Sequence, residues 1–249
     1  MDLVFDRYTC ELYRSWSRSK YGGAIDKMVE DCVRVLLDPK PGERILDIGC
    51  GDGDHLLLFS RLDLDVSGID ASAYMIGRAR ERLGRKCTLR IARAEDLPFD
   101  DNEFDIAVLI NTLEFLDKPL DALIEAGRVA RRRVFVGVFN SLSWFAVDKR
   151  IRGYFTKSLF SSVKFYNLWE LKSCMTRAFG EVPMEWKCAR ITKSFFSGTG
   201  VVYRWQGNLS RWPVGVFLGV SATMQYRLRT AQHPLKIDAS MKTPSAALQ

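Results

Sequence analysis

Between residues 3 and 37 apolar side chains recur at three- and four-residue intervals. Ile25, Met28, Val29, Cys32, Val33 and Leu36 fall on one stripe, the spacing of an amphipathic helix. Pro39-Lys40-Pro41-Gly42 ends this stretch, because proline lacks the N–H a helix needs and glycine frees the backbone. Arg44-Ile45-Leu46-Asp47-Ile48 is a short apolar strand, followed by Gly49-Cys50-Gly51-Asp52-Gly53 and a helical piece from His55 to Arg61. The pattern predicts strands at Val66 to Asp70, Thr88 to Ala92, Phe104 to Ile110 and Arg133 to Phe139, with helices at Ala73 to Leu83 and Leu120 to Ala130. Strands and helices alternating at this spacing predict a doubly wound α/β fold: a mostly parallel sheet covered on both faces, in three layers.

After Asn140 the alternation lapses into a basic, aromatic stretch from Ser141 to Tyr166, read as an inserted cap. Leu168 to Phe179 resumes a helix and Val182 to Ile191 a strand. Val214, Val216, Leu218, Val220, Ala222, Met224 and Tyr226 alternate as in a half-buried strand, so the sheet should end in an antiparallel pair. The expected division is a core with N-terminal helices over 1–140, a cap over 141–166, completion of the same sheet over 167–230 and a loosely held tail over 231–249.

Composition narrows the class. Of 249 residues, 47% are hydrophobic and 27% charged, the profile of a globular protein. The net charge of +7 divides unevenly: residues 1–140 sum to −4 and residues 141–249 to +11. A basic C-terminal part suits an anionic partner, and a solvated basic face would look the same. Six scattered cysteines without a C-x-x-C pair, and two histidines far apart, exclude a disulfide framework and give no metal site. The N-terminus lacks a basic start followed by an apolar core, and the longest apolar run, Pro213 to Val220, is far shorter than the ~20 residues that span a bilayer. No transmembrane segment and a cytoplasmic location are expected.

Gly49-x-Gly51-x-Gly53 between a strand and a helix lets the backbone turn sharply and approach a ligand. The spacing differs from the dinucleotide G-x-G-x-x-G, and Asp47, Asp52 and Asp54 would repel phosphates, so a cationic or neutral nucleotide-like ligand fits better. Asp70, at the end of the second strand, is placed to accept hydrogen bonds from two ribose hydroxyls.

Four stretches carry a resemblance: Ile45 to Gly53, Gly68-Ile69-Asp70-Ala71-Ser72, Ala94-Glu95-Asp96-Leu97-Pro98-Phe99 and Asn102-Glu103-Phe104-Asp105. In this order and spacing they resemble the motifs of class I S-adenosylmethionine-dependent methyltransferases, most closely the type 11 group that includes quinone C-methyltransferases. The resemblance covers roughly Pro41 to Asn140 and implies a Rossmann-like fold and S-adenosyl-L-methionine as cofactor. By position it implies that Asp47 and the Gly49, Cys50, Gly51 and Gly53 backbone hold the methionine part. It places Asp70 with Ala71 at the ribose, Ala94 at the adenine edge through its N–H, and Ile110 or Asn111 on the methionine-side floor. The position before Ala94, often Asp or Asn in the family and able to bond the adenine amino group, is Arg93, so that contact must come from Glu95, from water or from backbone, and Arg93 is left out of the expected site.

Methyl transfer from a sulfonium needs chiefly positioning, with a base only if the nucleophile arrives protonated. Glu114, after the fourth strand, is the candidate base; a Glu in the first turn of a helix is equally favoured by the macrodipole alone. The run Asn111-Thr112-Leu113-Glu114 is not the Asn/Asp-Pro-Pro-aromatic run of amino-methylating nucleic-acid enzymes, and no Pro-Cys dipeptide occurs. In the cap, Trp144, Arg150, Arg152, Tyr154 and Tyr166 would form an apolar, cation-rimmed pocket for a small anionic or lipophilic acceptor. The alternatives are an RNA methyltransferase using the basic C-terminal part and a non-catalytic member that only binds the cofactor.

Overall fold

The N-terminal apolar stripe folds as two helices, α1 (Arg7–Ser17) and α2 (Lys20–Leu37). Ser19 separates them: its backbone is extended and its hydroxyl accepts the Gly22 N–H, capping α2. The expected stripe on α2 is buried, with Met28, Val29, Cys32 and Val33 at 0% exposure. Asp38, in the left-handed region at φ 43°, ends α2 ahead of Pro39. The structure, a computed structural model, describes residues 6–143, 146, 163–196 and 200–224, with backbone alone at 16, 20, 21, 191–196, 200–206 and 208.

From there strands and helices alternate: β1 (Arg44–Ile48), α3 (Asp54–Ser60), β2 (Asp65–Asp70), α4 (Ala73–Leu83), β3 (Thr88–Ile91), β4 (Phe104–Ile110), α5 (Pro119–Val129) and β5 (Ala130–Phe139). Next come α6 (Leu168–Phe179), β6 (Met184–Phe196), β7 (Gly200–Ser210) and β8 (Phe217–Thr223). Asn167 and Glu170 close a reciprocal capping box at the start of α6. One eight-stranded sheet results, in the order β3-β2-β1-β4-β5-β8-β6-β7. Pairing is parallel from β3 through β5 and antiparallel from β5 through β8 and β6 to β7. The expected antiparallel partners are present as β6 and β8. A third strand, β7, is added outside β6 and was not among the expected elements.

The sheet is covered on both faces. Along β4, Ile106, Val108 and Ile110 pack in the cluster under α2, α3 and α4, while Ala107 and Leu109 pack in the cluster under α5 and α6. Every β4 residue is buried, so this strand reads as a continuous apolar run. Each fully buried Ile or Leu contributes about 1.5–3 kcal/mol relative to exposure.

Strand order reverses between β1 and β4: the chain leaves β1 toward β2 on one side and returns to β4 on the other. Such a switch point opens a crevice at the carboxyl ends of the strands. The two ends of the 141–166 segment meet near the same edge, where the Tyr166 N–H donates to Phe139 O at 3.3 Å and the Ser141 N–H to Tyr166 O at 2.9 Å. Trp144, Arg150, Arg152 and Tyr154 lie outside the described residues. Among the described residues no helix is long and apolar enough to cross a membrane.

Candidate functional site

The turn after β1 is shaped by what stands behind it. Gly49 takes φ +79°, and a Cβ there would lie 2.4 Å from Thr112 Cγ2, so only glycine fits without displacement. Thr112 is itself fixed, its hydroxyl donating to Ile48 O at 3.0 Å and tying the end of β4 to the end of β1. Gly51 also has a positive φ, +55°, and open space in front of it, so any side chain would stand in the crevice.

Asp70 closes the other side of the loop. Its Oδ2 accepts the Gly51 N–H at 3.0 Å and its Oδ1 the Ser72 N–H at 2.8 Å. Burial raises its pKa, against the opposing effect of those two bonds. Each carboxylate oxygen keeps further lone-pair capacity for a ligand's hydroxyl groups.

Beneath the loop, Asp47 is 1% exposed and neither carboxylate oxygen has a hydrogen-bond partner. Burial, with the Asp70 charge, pushes its carboxyl up to about 8. An unpartnered buried acid costs stability, and a cation above the loop would offset that cost by favouring the ionised form.

The crevice is an open cavity of about 1070 Å³, counting the solvent at its mouth. Of the expected residues, Gly49, Cys50, Gly51, Asp70 and Ala71 line its glycine-loop side. Ala94, Glu95, Ile110 and Asn111 line it from the ends of β3 and β4. Arg93, set aside in the sequence reading, lines it too and pairs with Glu95 at 3.6 Å. The Ala94 to Phe99 loop is held from α5: Glu125 Oε2 accepts the Leu97 N–H at 2.9 Å, and Arg128 donates to Leu97 O and Phe99 O at 3.0 and 2.7 Å. Asp105, in the fourth motif, accepts the Arg44 N–H at 2.9 Å and braces the start of β1 instead of meeting a ligand.

Four expected residues do not reach the cavity. Asp47 lies below the loop, and Gly53 begins α3 beside Leu83 of α4. Tyr166 is fully buried in the cluster under α5 and α6. Glu114 sits in the 3-10 turn Leu113–Phe115 at 3% exposure, and its Oε1 accepts the Phe139 N–H at 2.7 Å. Burial pushes the Glu114 carboxyl up to about 8, against two backbone hydrogen bonds. That bond ties the turn to the end of β5, and Glu114 does not line the cavity.

The N-terminal helices supply a wall that the sequence reading did not foresee. Tyr13 and Ser17 of α1, Asp26 of α2 and His55 of α3 line the same cavity. Desolvation, then Asp54 and Asp52, push the Asp26 carboxyl up to about 6. Desolvation brings the His55 imidazole down to about 4, so it is neutral at pH 7.

Residues 46–136 match the family described as a methyltransferase domain. Over 89 residues, 34% of this chain, it is 39% identical to phosphoethanolamine N-methyltransferase 3 of Arabidopsis thaliana, and over 109 residues, 44% of the chain, 33% identical to demethylmenaquinone methyltransferase of Corynebacterium kroppenstedtii. This chain spans 18% of the first relative's length and 46% of the second's. A solved S-adenosylmethionine-dependent methyltransferase of Thermotoga maritima superposes with a TM-score of 0.66 at 23% identity, covering 86% of this chain and 94% of that one. Magnesium protoporphyrin IX methyltransferase of Synechocystis superposes at 0.63 with 15% identity, covering 89% and 96%. These structures share the fold.

Proposed function

We propose that this chain, whose residues 46–136 belong to the type 11 methyltransferase-domain family, is an S-adenosylmethionine-dependent methyltransferase acting on a small-molecule acceptor. One observation carries the reading: a glycine loop open to the cavity lies between Asp70, whose carboxylate can receive ribose hydroxyls, and Asp47, whose buried carboxyl has no partner of its own. A nucleoside with a cationic tail answers both. Asp70 with Ala71 would take the ribose, Ala94 and Glu95 the adenine edge, and the Gly49 to Gly51 backbone with Ile110 and Asn111 the methionine part. Asp47 would act from below through its charge, and Gly53 by starting α3.

Bound there, the cofactor would supply an electrophilic methyl group carried on a sulfonium. The protein's own task is to hold the reacting atoms in line and shed water. The segment 141–166 serves in this reading as a substrate cap, because its ends meet beside the carboxyl end of β5. Trp144, Arg150, Arg152 and Tyr154 would be its acceptor-facing side chains. In this reading residues 167–230 would complete the sheet begun by the core over 1–140. All six cysteines are free thiols, which supports a cytoplasmic site of action.

The charge of +11 on residues 141–249 favours one second reading, RNA as acceptor. Methyl transfer from labelled cofactor into the small-molecule and RNA fractions of a cell extract separates the two. Label in small molecules is expected; label confined to RNA would replace the first reading by the second, and label in neither would favour a cofactor-binding protein without transfer.

A further inference from the structure

We propose that the face around the carboxyl end of β5 docks the protein on an anionic lipid bilayer. Asn140, the fully buried residue that follows β5, organises this face. Its side chain accepts the Leu142 N–H at 3.0 Å and donates to Pro213 O, between β7 and β8, at 2.8 Å. Its backbone bridges to Tyr166, which leads through Asn167 into α6. Three separate stretches of chain, 141–143, 166–169 and 211–214, are thereby gathered at one edge of the sheet.

Each stretch presents a large apolar side chain to solvent. Trp169 is 63% exposed, Trp212 64%, Leu142 43% and Val214 45%. An apolar residue exposed singly is ordinary, but a group of four with two tryptophans marks an interaction surface. The tryptophans are held in place. Ser210 Oγ accepts the Trp212 N–H at 2.9 Å next to the Pro213 bond, and the capping box of Asn167 and Glu170 fixes the turn that carries Trp169. Tryptophan suits a membrane boundary, since its broad ring enters the acyl region while its N–H meets the headgroups.

Charge identifies the partner. Lys164, Arg190 and Arg211 are exposed and form no ion pair with the described residues. Arg211 precedes Trp212, the Lys164 ammonium lies 4.8 Å from the centre of the Tyr166 ring, and the Arg190 stem packs at Gly215. Glu170 is the one acid in these stretches, and its Oε2 accepts the Asn167 N–H. The basic excess extends beyond the face, residues 141–249 summing to +11. Cations around apolar anchors match anionic headgroups above acyl chains, and each Lys or Arg near such a surface adds about fivefold in affinity. RNA fits less well: single strands are bound by stacking bases on aromatic planes along a cationic groove, and Leu142 and Val214 offer no such plane.

The face adjoins the crevice through the Leu113–Phe115 turn. Phe115 lines the cavity, while Glu114 O accepts the Lys164 N–H at 3.2 Å. Docking does not depend on the methyltransferase reading. Under that reading it would let a lipophilic acceptor pass from the bilayer to the crevice beside it.

Flotation of the full chain with vesicles tests the proposal. One set is phosphatidylcholine alone and the other equal parts phosphatidylglycerol and phosphatidylcholine. The wild type should float with the anionic vesicles and far less with the neutral ones. Trp169→Ala with Trp212→Ala should lower that partition about tenfold or more, and Arg190→Ala with Arg211→Ala should lower it on anionic vesicles alone. Lipids brominated on their acyl chains should quench tryptophan fluorescence in the wild type and less in the tryptophan variant. Both variants should keep the wild-type Tm, which shows them folded. The proposal falls if the wild type does not float with anionic vesicles, or if it floats equally well with both tryptophans replaced. Tighter binding to polyuridylate than to vesicles, weakened by the same variants, would assign the face to RNA instead. Absence of S-adenosylhomocysteine binding is a separate result: it would remove the methyltransferase reading and leave the docking face standing.

Discussion

Replacing Glu114 by Gln isolates a buried proton. The folded protein holds the Glu114 carboxyl at about 8 against an ordinary 4.5, chiefly by desolvation. Below about pH 4.5 both folded and unfolded chains carry the proton and the group contributes nothing to pH dependence. Between about 5 and 8 the unfolded carboxyl is ionised while the folded one stays protonated, so the folded state binds more protons and stability falls as pH rises, by about 1.4 kcal/mol per pH unit. Glutamine keeps the acceptor oxygen that receives the Phe139 N–H and removes the titration. Urea unfolding at pH 5, 6, 7 and 8 should therefore show Glu114→Gln near wild type at pH 5 and progressively more stable than it above that, by several kcal/mol at pH 8. Asp47 titrates with the same sign in both proteins, so the difference between them reports Glu114 alone. Parallel stability curves would refute the reasoning. Because Glu114 lies behind the cavity wall, methyl transfer by the variant should stay within about threefold of wild type; a loss of a hundredfold would make it the base after all.

Three further outcomes follow from the geometry. Gly49→Ala combines a positive φ with an overlap on Thr112 and should cost roughly 2 kcal/mol or more, read as a lowered Tm; an unchanged Tm would mean that the loop is not held against β4. Cofactor affinity should rise from pH 6 to 8 as the cation draws the proton from Asp47, which sits at about 8 without a partner, and Asp47→Asn should flatten that rise in calorimetric titrations; an equal rise in the variant would assign it elsewhere. Arg150→Ala with Arg152→Ala should leave cofactor affinity intact and change only the transfer rate, whereas a collapse of cofactor affinity would move the 141–166 segment into the cofactor site.

The elements with unambiguous period were legible from the sequence. β1, α4, β4 and α6 run over the residues the pattern marked, because their apolar positions leave one face or one period to choose. The N-terminal stripe was continuous in apolar spacing, and only the capping by Ser19 divides it into α1 and α2. β7 was missed because Gly200, Gly207 and Asn208 punctuate its sequence as a loop would, and pairing with β6 overrides that local preference. At the site, the glycine loop and Asp70 are contiguous motifs and could be placed by spacing. Asp26 and Tyr13 gave no such signal: neither belongs to a motif, and only the packing of α1 and α2 over the strand ends brings them into the cavity lining. For Glu114 the sequence showed only its place after β4, which suits a base; that its Oε1 accepts the Phe139 N–H is visible only in the fold.

Calorimetric titration of the purified chain with S-adenosylmethionine and with S-adenosylhomocysteine tests the central claim most directly. Both should bind, and Asp70→Ala should weaken each by roughly 1.5–3 kcal/mol for every charge-assisted hydrogen bond lost. No heat from either ligand at millimolar concentration would contradict the account.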